Sequence, residues 1–573
     1  MKPPTAESKT AGGRTVATTT PVAGSDWPPA AGPGSFAQAP PRLANTYLGD
    51  AALREYLSAA LPERVFDEVS PALAELGELA AGEMRELARV AESNPPRLIQ
   101  YDAWGNRVDR IEVSPAWTEL HAIQARAGLC AIPAERHHGE FSRLIQHALL
   151  HLYGPSSAIY SCPVSMTDAA ARTLTLHAPD ALRDRVVPRL TSRDPQLAWT
   201  SGQWMTERSG GSDVGPTETV AREGADGRWR LHGVKWFTSA TTAECALTLA
   251  RPAGAEAGSR GLALFLVELT DPLTGEAQTG RTILVNRLKD KLGTKALPTA
   301  ELTLDGAVAT PIGDTTHGLR KIADMLTVCR LHNSVAAGGL MRRGQQLAED
   351  YAQRRQAFGA KLADLPLHAE TLAEMNASAE ASFALTFHAM RLYGRAEAGT
   401  ATAREQSALR ALVPVTKLFT AKQAVAHASE TLECFGGAGY VEDTGLPGLL
   451  RDAQVLPIWE GTTNILSLDL LRAEVKDGAV SALLDDMEHR LIVGGESNTP
   501  AGDASYECEK LGREVAAWHH ADPGELQAGM RRFALRLGSA YSAVLLIEHA
   551  RIQSERGNDR PQAVAQRAAD WLD

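Results

Sequence analysis

The sequence has no CxxC pair, no long apolar run and no excess of positive charge. Its six cysteines are scattered along the chain, which argues against a disulfide framework or a zinc cluster, so we expect no metal site. Free thiols are typical of the reducing cytosol, and we therefore expect a cytoplasmic protein. No apolar segment approaches the length of a membrane span, and the opening residues, MKPPTAESKTAGG, lack the apolar centre of a secretory signal.

The charge balance and the composition are those of an ordinary globular protein. The chain carries 58 Lys and Arg against 69 Asp and Glu, a net charge of -11, so nothing in the total charge favours nucleic acid or an anionic membrane as a partner. Hydrophobic residues make up 44%, which is enough to build buried cores. A length of 573 residues exceeds what one core supports and predicts three or four domains.

Changes in hydrophobic periodicity divide the chain into five segments. Residues 1–40 are rich in Pro, Gly, Ala, Ser and Thr, which predicts a disordered tail. Leucines at three- and four-residue steps predict a helical domain over 41–195. Short alternating runs separated by glycine turns predict a small β-barrel or sandwich over 196–310. Long Ala- and Leu-rich stretches predict a four-helix bundle over 311–475 and a helical extension over 476–573.

The predicted fold class is therefore α+β, with helical domains before and after a β domain. No alternation of strands and helices occurs, which excludes Rossmann and TIM-barrel folds. Within the first helical segment, Pro95-Pro96 is expected to break a helix and Tyr101–Asn106 to form a turn. In the extension, a loop is expected over Gly494–Gly502.

One carboxylate, Glu460, stands out because it follows the apolar residues Pro457, Ile458 and Trp459 and precedes the small and polar run Gly461–Asn464. A helix-like apolar run begins directly afterwards. Two interpretations remain open at this point. Glu460 is either a helix-start acid favoured by the helix dipole, or a buried base whose affinity for protons is raised by desolvation.

Three further stretches carry residues suited to binding a flat, phosphorylated ligand. Met205–Val214 combines glycines with hydroxyls, as anion-binding loops do, although the stretch on its own is more typical of a surface loop. Lys235–Ser239 places a Trp before hydroxyls, which suits either a heterocycle site or an ordinary strand core. Arg354–Gly359 ends a predicted helix, where the arginines either reach a phosphate or complement the helix dipole.

The joint order of these stretches resembles the acyl-CoA dehydrogenase flavoprotein family from about residue 45 to 475. The motifs that carry the resemblance are Thr-Glu-x-x-x-Gly-Ser-Asp, Lys-Trp-Phe-Thr, Lys-Leu-Gly, Arg-x-x-Phe-Gly, Gly-Gly-x-Gly-Tyr and Trp-Glu-Gly-Thr. Within the family the chain is most similar to the AidB branch, the flavoproteins of the bacterial adaptive response to alkylation. Asn94–Leu98, Gly202–Glu207, Arg287–Gly293 and the extension past the bundle support that placement.

The resemblance implies that FAD lies between the β domain and the bundle. Thr206 would hydrogen-bond the pyrimidine edge of the flavin, Ser212 the pyrophosphate, and Trp236 would flank the ring. Phe237, Thr238 and Ser239 would surround the central ring and its N5. The cofactor contacts implied within one chain are Met205, Thr206, Ser212, Trp236, Phe237, Thr238, Ser239, Gly461, Thr462 and Asn464, the last three closing over the cofactor.

The resemblance also implies a homo-oligomer, typically a tetramer, because Arg355 and Phe358 would reach the FAD of a neighbouring subunit. Glu433 stands where the family usually has Gln, and a carboxylate there would repel the pyrophosphate unless it is protonated or turned away. Glu460 aligns with the catalytic base, which removes the α-proton of an acyl-CoA thioester while hydride passes to flavin N5. Electron-transfer flavoprotein is the usual electron acceptor of the family.

The AidB branch leaves a second function open, a flavin-containing DNA-protection protein with weak or vestigial dehydrogenase activity. DNA binding in that branch is attributed to a basic C-terminal domain. Residues 481–573 of this chain carry ten Lys and Arg against fifteen Asp and Glu, which disfavours a strong duplex site. Its arginine clusters, Arg531–Arg536 and Arg551–Arg560, are expected to be solvated faces or inter-subunit pairs.

Overall fold

The computed structural model describes residues 39–492 and 500–572. The tail predicted over 1–40 lies almost entirely outside the described residues. The loop predicted over Gly494–Gly502 also falls largely outside them, although a helix has already begun at Pro500. Within the described chain, helices dominate both ends and one sheet occupies the middle, which confirms the predicted α+β class.

The N-terminal domain consists of eight α-helices, two short 3-10 helices (Gly139–Phe141 and Gly154–Ser156) and one hairpin. Asp50 caps the first helix by accepting a hydrogen bond from the Leu53 N–H (3.1 Å), and Ser114 caps the fourth. The elements are α1 (Ala51–Ala60), α2 (Glu63–Ala81), α3 (Glu83–Ser93), β1 (Arg97–Tyr101), β2 (Arg107–Glu112), α4 (Pro115–Ala127), α5 (Ile132–Glu135), α6 (Ser142–Tyr153), α7 (Ser161–His177) and α8 (Asp180–Leu190).

The hairpin β1–β2 corrects the expectation of a purely helical domain. Pro95-Pro96 ends the helical run, as predicted, because proline disfavours helical geometry in the residue before it. The predicted turn is present, and the Asp102 carboxylate closes it by accepting from the N–H groups of Trp104 (2.8 Å) and Asn106 (2.9 Å). Its flanking residues pair as antiparallel strands, a pairing that the helical periodicity of the neighbouring segments concealed.

The middle domain is a barrel, which settles the choice between barrel and sandwich. Its pairings form a closed ring in which β6 contacts both β4 and β7, while β5 and β9 complete the circuit. Alternating side chains such as Trp204, Phe265 and Leu302 fill the interior. The strands are β3 (Ser201–Trp204), β4 (Val220–Glu223), β5 (Trp229–Ser239), β6 (Cys245–Pro252), β7 (Ala263–Glu268), β8 (Ile283–Leu288) and β9 (Thr299–Pro311).

The bundle is built on three long helices and a shorter fourth. A capping box between Thr402 and Glu405 starts α11, and Gly399 with φ +74° ends α10. The elements are α9 (Gly318–Arg354), β10 (Gln356–Ala357), β11 (Ala360–Lys361), α10 (Pro366–Ala398), α11 (Ala403–Cys434), α12 (Gly437–Tyr440), α13 (Leu446–Ala453) and α14 (Thr463–Asp477).

The C-terminal extension packs against the bundle through its longest helix. Its helices are α15 (Ala479–Ile492), α16 (Pro500–Ala517), α17 (Pro523–Glu555) and α18 (Arg560–Asp570). Arg560 ties the extension back to the N-terminal domain by pairing with Glu55 (2.6 Å) and to α10 by pairing with Glu380 (2.7 Å). Among the described residues, no helix combines the length and apolarity needed to cross a bilayer.

Candidate functional site

A cavity of about 1170 Å³ opens between the barrel and the bundle. Eight of the residues singled out from the sequence line it, on both walls: Met205, Thr206, Ser212, Phe237, Ser239, Glu460, Gly461 and Thr462. Arg355 and Phe358, on the β10–β11 side of the bundle, are outside the lining, as are Trp236, Thr238 and Asn464. The structure therefore brings the glycine–hydroxyl loop and the Glu460 loop to one place.

The loop that carries Thr206 is fixed by a buried ion pair. Lys235, fully buried on β5, donates from Nζ to Glu207 Oε1 (2.7 Å) and to the Leu249 carbonyl (2.8 Å). The Glu207 carboxylate also accepts from the N–H of Glu218 (2.7 Å) and the hydroxyl of Thr219 (2.5 Å). One carboxylate thus joins both ends of the loop to β5, and Thr206, Gly211 and Ser212 of the loop line the cavity.

The hydroxyls of Thr206 and Ser212 line the cavity, and neither has a hydrogen-bond partner within the described chain. Gly211 packs directly on Thr206, because a Cβ at position 211 would approach Thr206 Oγ1 to 2.4 Å. A side chain at this position would displace the threonine. The loop therefore offers free hydroxyls and close backbone approach, which suits a polar, phosphate-bearing ligand.

Strand β5 presents only part of the predicted aromatic and hydroxyl set to the cavity. Thr238 is fully buried, and its hydroxyl donates to the Ala300 carbonyl (2.8 Å) instead. The Trp236 ring lies under the Lys289 ammonium, 3.6 Å from Nζ to the ring centroid. A register shift between Lys235 and Thr238 bends the strand at this point. The cofactor roles of Trp236 and Thr238 therefore stay predictions.

Glu460 lies in the loop between α13 and α14 with φ +56°, a left-handed conformation unusual for a residue with a side chain. The residue is half-buried, yet its Oε2 is inaccessible and has no hydrogen-bond partner among the described residues. Burial raises the pKa of the carboxyl group, while the cations Lys417 and Arg330 and a hydrogen bond from Gln203 oppose that rise. The group has the properties of a buried base.

Three sequence models of known families match the chain. The AidB adaptive-response N-terminal domain matches residues 38–195, the acyl-CoA dehydrogenase middle domain 202–307, and the acyl-CoA dehydrogenase C-terminal domain 316–475. Together they cover the helical domain, the barrel and the bundle, and they confirm the resemblance drawn from the motifs.

The chain belongs to the acyl-CoA dehydrogenase family. Acyl-CoA dehydrogenase family member 11 of Caenorhabditis elegans is 45% identical over 539 residues, which cover 90% of this chain and 86% of that protein. The putative acyl-CoA dehydrogenase AidB of Escherichia coli is 34% identical over 455 residues, 77% of this chain and 80% of the relative. The crystal structure of Caenorhabditis elegans ACDH-11 in complex with C11-CoA has a TM-score of 0.90 at 42% identity and covers 94% of this chain and 93% of its own.

Acyl-CoA dehydrogenases are FAD-dependent oxidoreductases, and this chain is accordingly one of them. The cavity suits FAD in size and chemistry. Its free hydroxyls and glycine loop fit the polar edges of the cofactor, and the apolar side chains Met205, Phe237 and Leu297 fit a flat ring. Glu460 lines the opposite wall, which leaves the space between for a substrate.

One wall of this dehydrogenase cavity is a loop clamped by two carboxylates. Asp452 on α13 accepts from the Thr294 N–H (2.6 Å), and Glu92 on α3 accepts from the Ala296 N–H (3.2 Å). Lys291 closes the loop on itself by donating to the Thr294 carbonyl (2.6 Å) and the Leu297 carbonyl (2.7 Å). Burial, followed by the nearby charge of Glu92, raises the pKa of Asp452 to about 7.

Asp452→Asn is expected to stabilise the folded chain above neutral pH. Because the folded pKa of Asp452 lies above its ordinary 3.8, folding favours the protonated form. The stability that this preference contributes is complete at low pH and is lost as the pH rises through about 7. Since Asn still accepts from Thr294, we expect a gain of about 2–4 kcal/mol at pH 8 and little change at pH 4. Thermal unfolding of both proteins between pH 4 and pH 8 measures this difference in stability. An equal dependence of stability on pH in the two proteins would contradict the prediction.

Phe358 and Asn464 lie on the protein surface. Phe358 is 97% exposed with φ +52° at the turn between β10 and β11, so a large apolar ring is held outward by a strained backbone. Arg355, at the end of α9, is half-buried. Asn464 accepts a hydrogen bond through Oδ1 from Arg531 of the extension (3.0 Å). Its predicted closure over the cofactor therefore competes with a contact to α17.

Sequence reasoning missed the residues that surround Glu460 from the bundle. Lys417 on α11 is fully buried, and Arg330 on α9 forms an ion pair with Asp469 on α14 (2.9 Å). The signal for Lys417 was present, because it is a lone cation in the apolar run Val413–Phe419 of a predicted bundle helix. A buried lysine is rare without a partner, so its position in such a run indicates a specific contact.

Proposed function

We propose that this protein oxidises an acyl-CoA thioester, with Glu460 as the base that removes the α-proton. The single observation that carries the proposal is the Glu460 carboxylate in the cavity, with one oxygen buried and unpartnered within the described chain. A carboxylate in this state binds a proton more tightly than one in water, which suits a general base for a weak carbon acid.

Residues on both walls of the cavity are proposed to hold the cofactor and the substrate. FAD, when bound, supplies the acceptor for the hydride that leaves the β-carbon. We propose that Thr206, Ser212, Phe237 and Ser239 hold FAD on the barrel side, with Gly461 and Thr462 beside it. Glu460 takes the α-proton, and the neighbouring Trp459 and Ile458 keep bulk water from the carboxylate.

The substrate class is supported by the Caenorhabditis elegans relative, which was crystallised in complex with C11-CoA. We propose an acyl-CoA of medium to long chain. The test is anaerobic mixing of the purified yellow protein with acyl-CoAs of increasing chain length, followed by flavin bleaching. Bleaching that peaks at one chain length would identify the substrate, whereas no bleaching by any acyl-CoA would reject the proposed activity.

Mixing the reduced protein with electron-transfer flavoprotein or with oxygen then identifies the electron acceptor.

A homo-oligomer, typically a tetramer in this family, is proposed from the exposed ring of Phe358 and the adjacent Arg355. A fully exposed Phe held by a left-handed backbone is costly in water, so a partner surface is the expected environment. In the proposed assembly both residues reach the FAD of the neighbouring subunit.

Phe358→Asp is expected to weaken assembly and FAD binding together. A charge in an apolar contact must be desolvated without a partner, which typically costs several kcal/mol. Light scattering after gel filtration and the flavin absorbance of the same peak measure both effects. Leu273→Asp is the matched control, because Leu273 is also strongly exposed but lies on a barrel loop away from the cavity lining. An unchanged oligomer with full flavin content would argue against the contact.

A DNA-protection function is the second candidate, favoured only by the similarity to AidB. Part of the extension's arginines have partners within the chain. Several are ion-paired within the chain: Arg536 to Glu507 and Glu514, Arg551 to Glu555, and Arg560 to Glu55 and Glu380. Cations already paired contribute little to phosphate binding. A gel shift with duplex DNA over a range of salt concentrations tests this function, and a strong salt-dependent shift would favour it.

A further inference from the structure

The loop that presents Glu460 is held by two cations through three consecutive carbonyls. Lys417 Nζ donates to the Trp459 carbonyl (2.7 Å) and to the Gly461 carbonyl (2.7 Å). Arg330 Nε donates to the carbonyl of Glu460 itself (3.4 Å). The base is thus flanked on both sides by hydrogen bonds from a single ammonium group.

Lys417 occupies an unusual position for a lysine. It lies in the middle of α11, it is 0% exposed, and the residues before and after it are buried. Burying an ammonium group is costly unless it is paired and hydrogen-bonded. The hydrogen bonds found for this ammonium go to two neutral backbone oxygens, one on each side of Glu460. The buried ammonium group of Lys417 therefore stabilises the conformation of the Glu460 loop.

The backbone at this loop requires such support. Glu460 has φ +56° and the next residue, Gly461, has φ +102°. Glycine adopts the left-handed region freely, but a residue with a Cβ does so only when surrounding contacts hold it there. The two Lys417 hydrogen bonds hold the peptide group that precedes Glu460 and the one that follows Gly461, and Arg330 holds the peptide group between Glu460 and Gly461. Together they restrict the direction in which the Glu460 side chain leaves the loop.

The same ammonium contributes to the electrostatics of the base. Burial raises the pKa of Glu460, and Lys417 is the strongest of the groups that oppose the rise. Burial also lowers the pKa of Lys417 to about 7. The other groups that face Glu460 come from three elements: Arg330 and Cys329 on α9, Cys162 on α7 and Gln203 on β3.

We propose that Lys417 is the positioning residue of the catalytic base: it holds the left-handed backbone that aims Glu460 into the cavity and favours its charged form. The proposal rests on the proposed function for its kinetic consequences. Its structural and electrostatic parts concern only residues of this chain.

Lys417→Met is the first test, because Met has a similar length but neither charge nor donors. The holoprotein is expected to keep its flavin and to be reduced by the best acyl-CoA about 100-fold more slowly, with substrate affinity changed less than about threefold. Infrared difference titration of the Glu460 carboxyl group, with Glu460→Gln as the blank, is expected to show its midpoint about one pH unit higher.

Two further variants separate positioning from general damage. Lys422→Met changes a half-buried lysine of the same helix that is outside the cavity lining, and it is expected to match the parent protein. Lys417→Arg keeps the charge and the donors, so its flavin is expected to be reduced at least about tenfold faster than that of Lys417→Met. If Lys417→Met does not fold, Lys417→Gln replaces it, since Gln keeps a donor but removes the charge and should still move the midpoint.

An unchanged rate or an unchanged carboxyl midpoint in a folded, flavin-containing Lys417→Met or Lys417→Gln protein would overturn the proposal. Equal losses in Lys422→Met would do the same, because they would show a general helix defect. The infrared titration needs no substrate, so it distinguishes failure of the Lys417 proposal from failure of the proposed dehydrogenase activity. If no acyl-CoA reduces the parent protein, the proposed function fails, whereas the positioning role is still decided by the titration.

Discussion

Glu460→Gln is expected to retain bound FAD and to lose acyl-CoA-dependent flavin reduction by about 10³- to 10⁴-fold, the range that general-base catalysis typically supplies. Gln has nearly the size of Glu and keeps a hydrogen-bonding group, but it cannot accept the α-proton. Stopped-flow absorbance under anaerobic conditions measures the rate, and the flavin spectrum of the resting protein reports whether the cofactor site is intact.

The matched control is Asp443→Asn, an exposed carboxylate outside the cavity lining, which is expected to reduce at the parent rate. The pH dependence of the parent protein gives a second check. Because burial raises the pKa of Glu460, the base is protonated at low pH and the rate should rise with pH through a midpoint above the ordinary value of 4.5. Full flavin reduction by Glu460→Gln would show that another group removes the proton.

The parts of this site that the sequence predicts are those encoded by short contiguous motifs. The glycine–hydroxyl loop with Thr206 and the Glu460 loop both line the cavity, and each is recognisable within about ten residues. The domain order was equally accessible, because a change of hydrophobic period marks each boundary between helices and strands.

The residues that the sequence did not assign act across large separations. Lys417 reaches the Glu460 loop from more than 40 positions away, and Asp452 reaches Thr294 from a different domain. Local propensity carries no information about such pairings. Thr238 shows a second limit of sequence-based prediction. A register shift within β5 buries both Lys235 and Thr238, whereas strict alternation would have placed these two side chains on opposite faces of the strand.

Lys235→Met is expected to destabilise the protein by about 3–5 kcal/mol and to weaken FAD binding in parallel. The change leaves the Glu207 carboxylate buried without its cation, and Glu207 is the residue that ties the Thr206 loop to β5. Chemical denaturation of the apoprotein measures the first effect. Flavin titration into that apoprotein, monitored by fluorescence, measures the second.

The double variant Lys235→Met with Glu207→Gln identifies the cause. If the loss comes from an uncompensated charge, neutralising the carboxylate should recover much of the stability, since Gln still accepts from the Glu218 N–H. FAD affinity should recover less, because the hydrogen bond from Nζ that fixes the loop to β5 remains absent. Recovery of both properties would show that the ion pair serves stability alone, whereas recovery of stability without affinity would show that Lys235 orders the loop on which Thr206 depends.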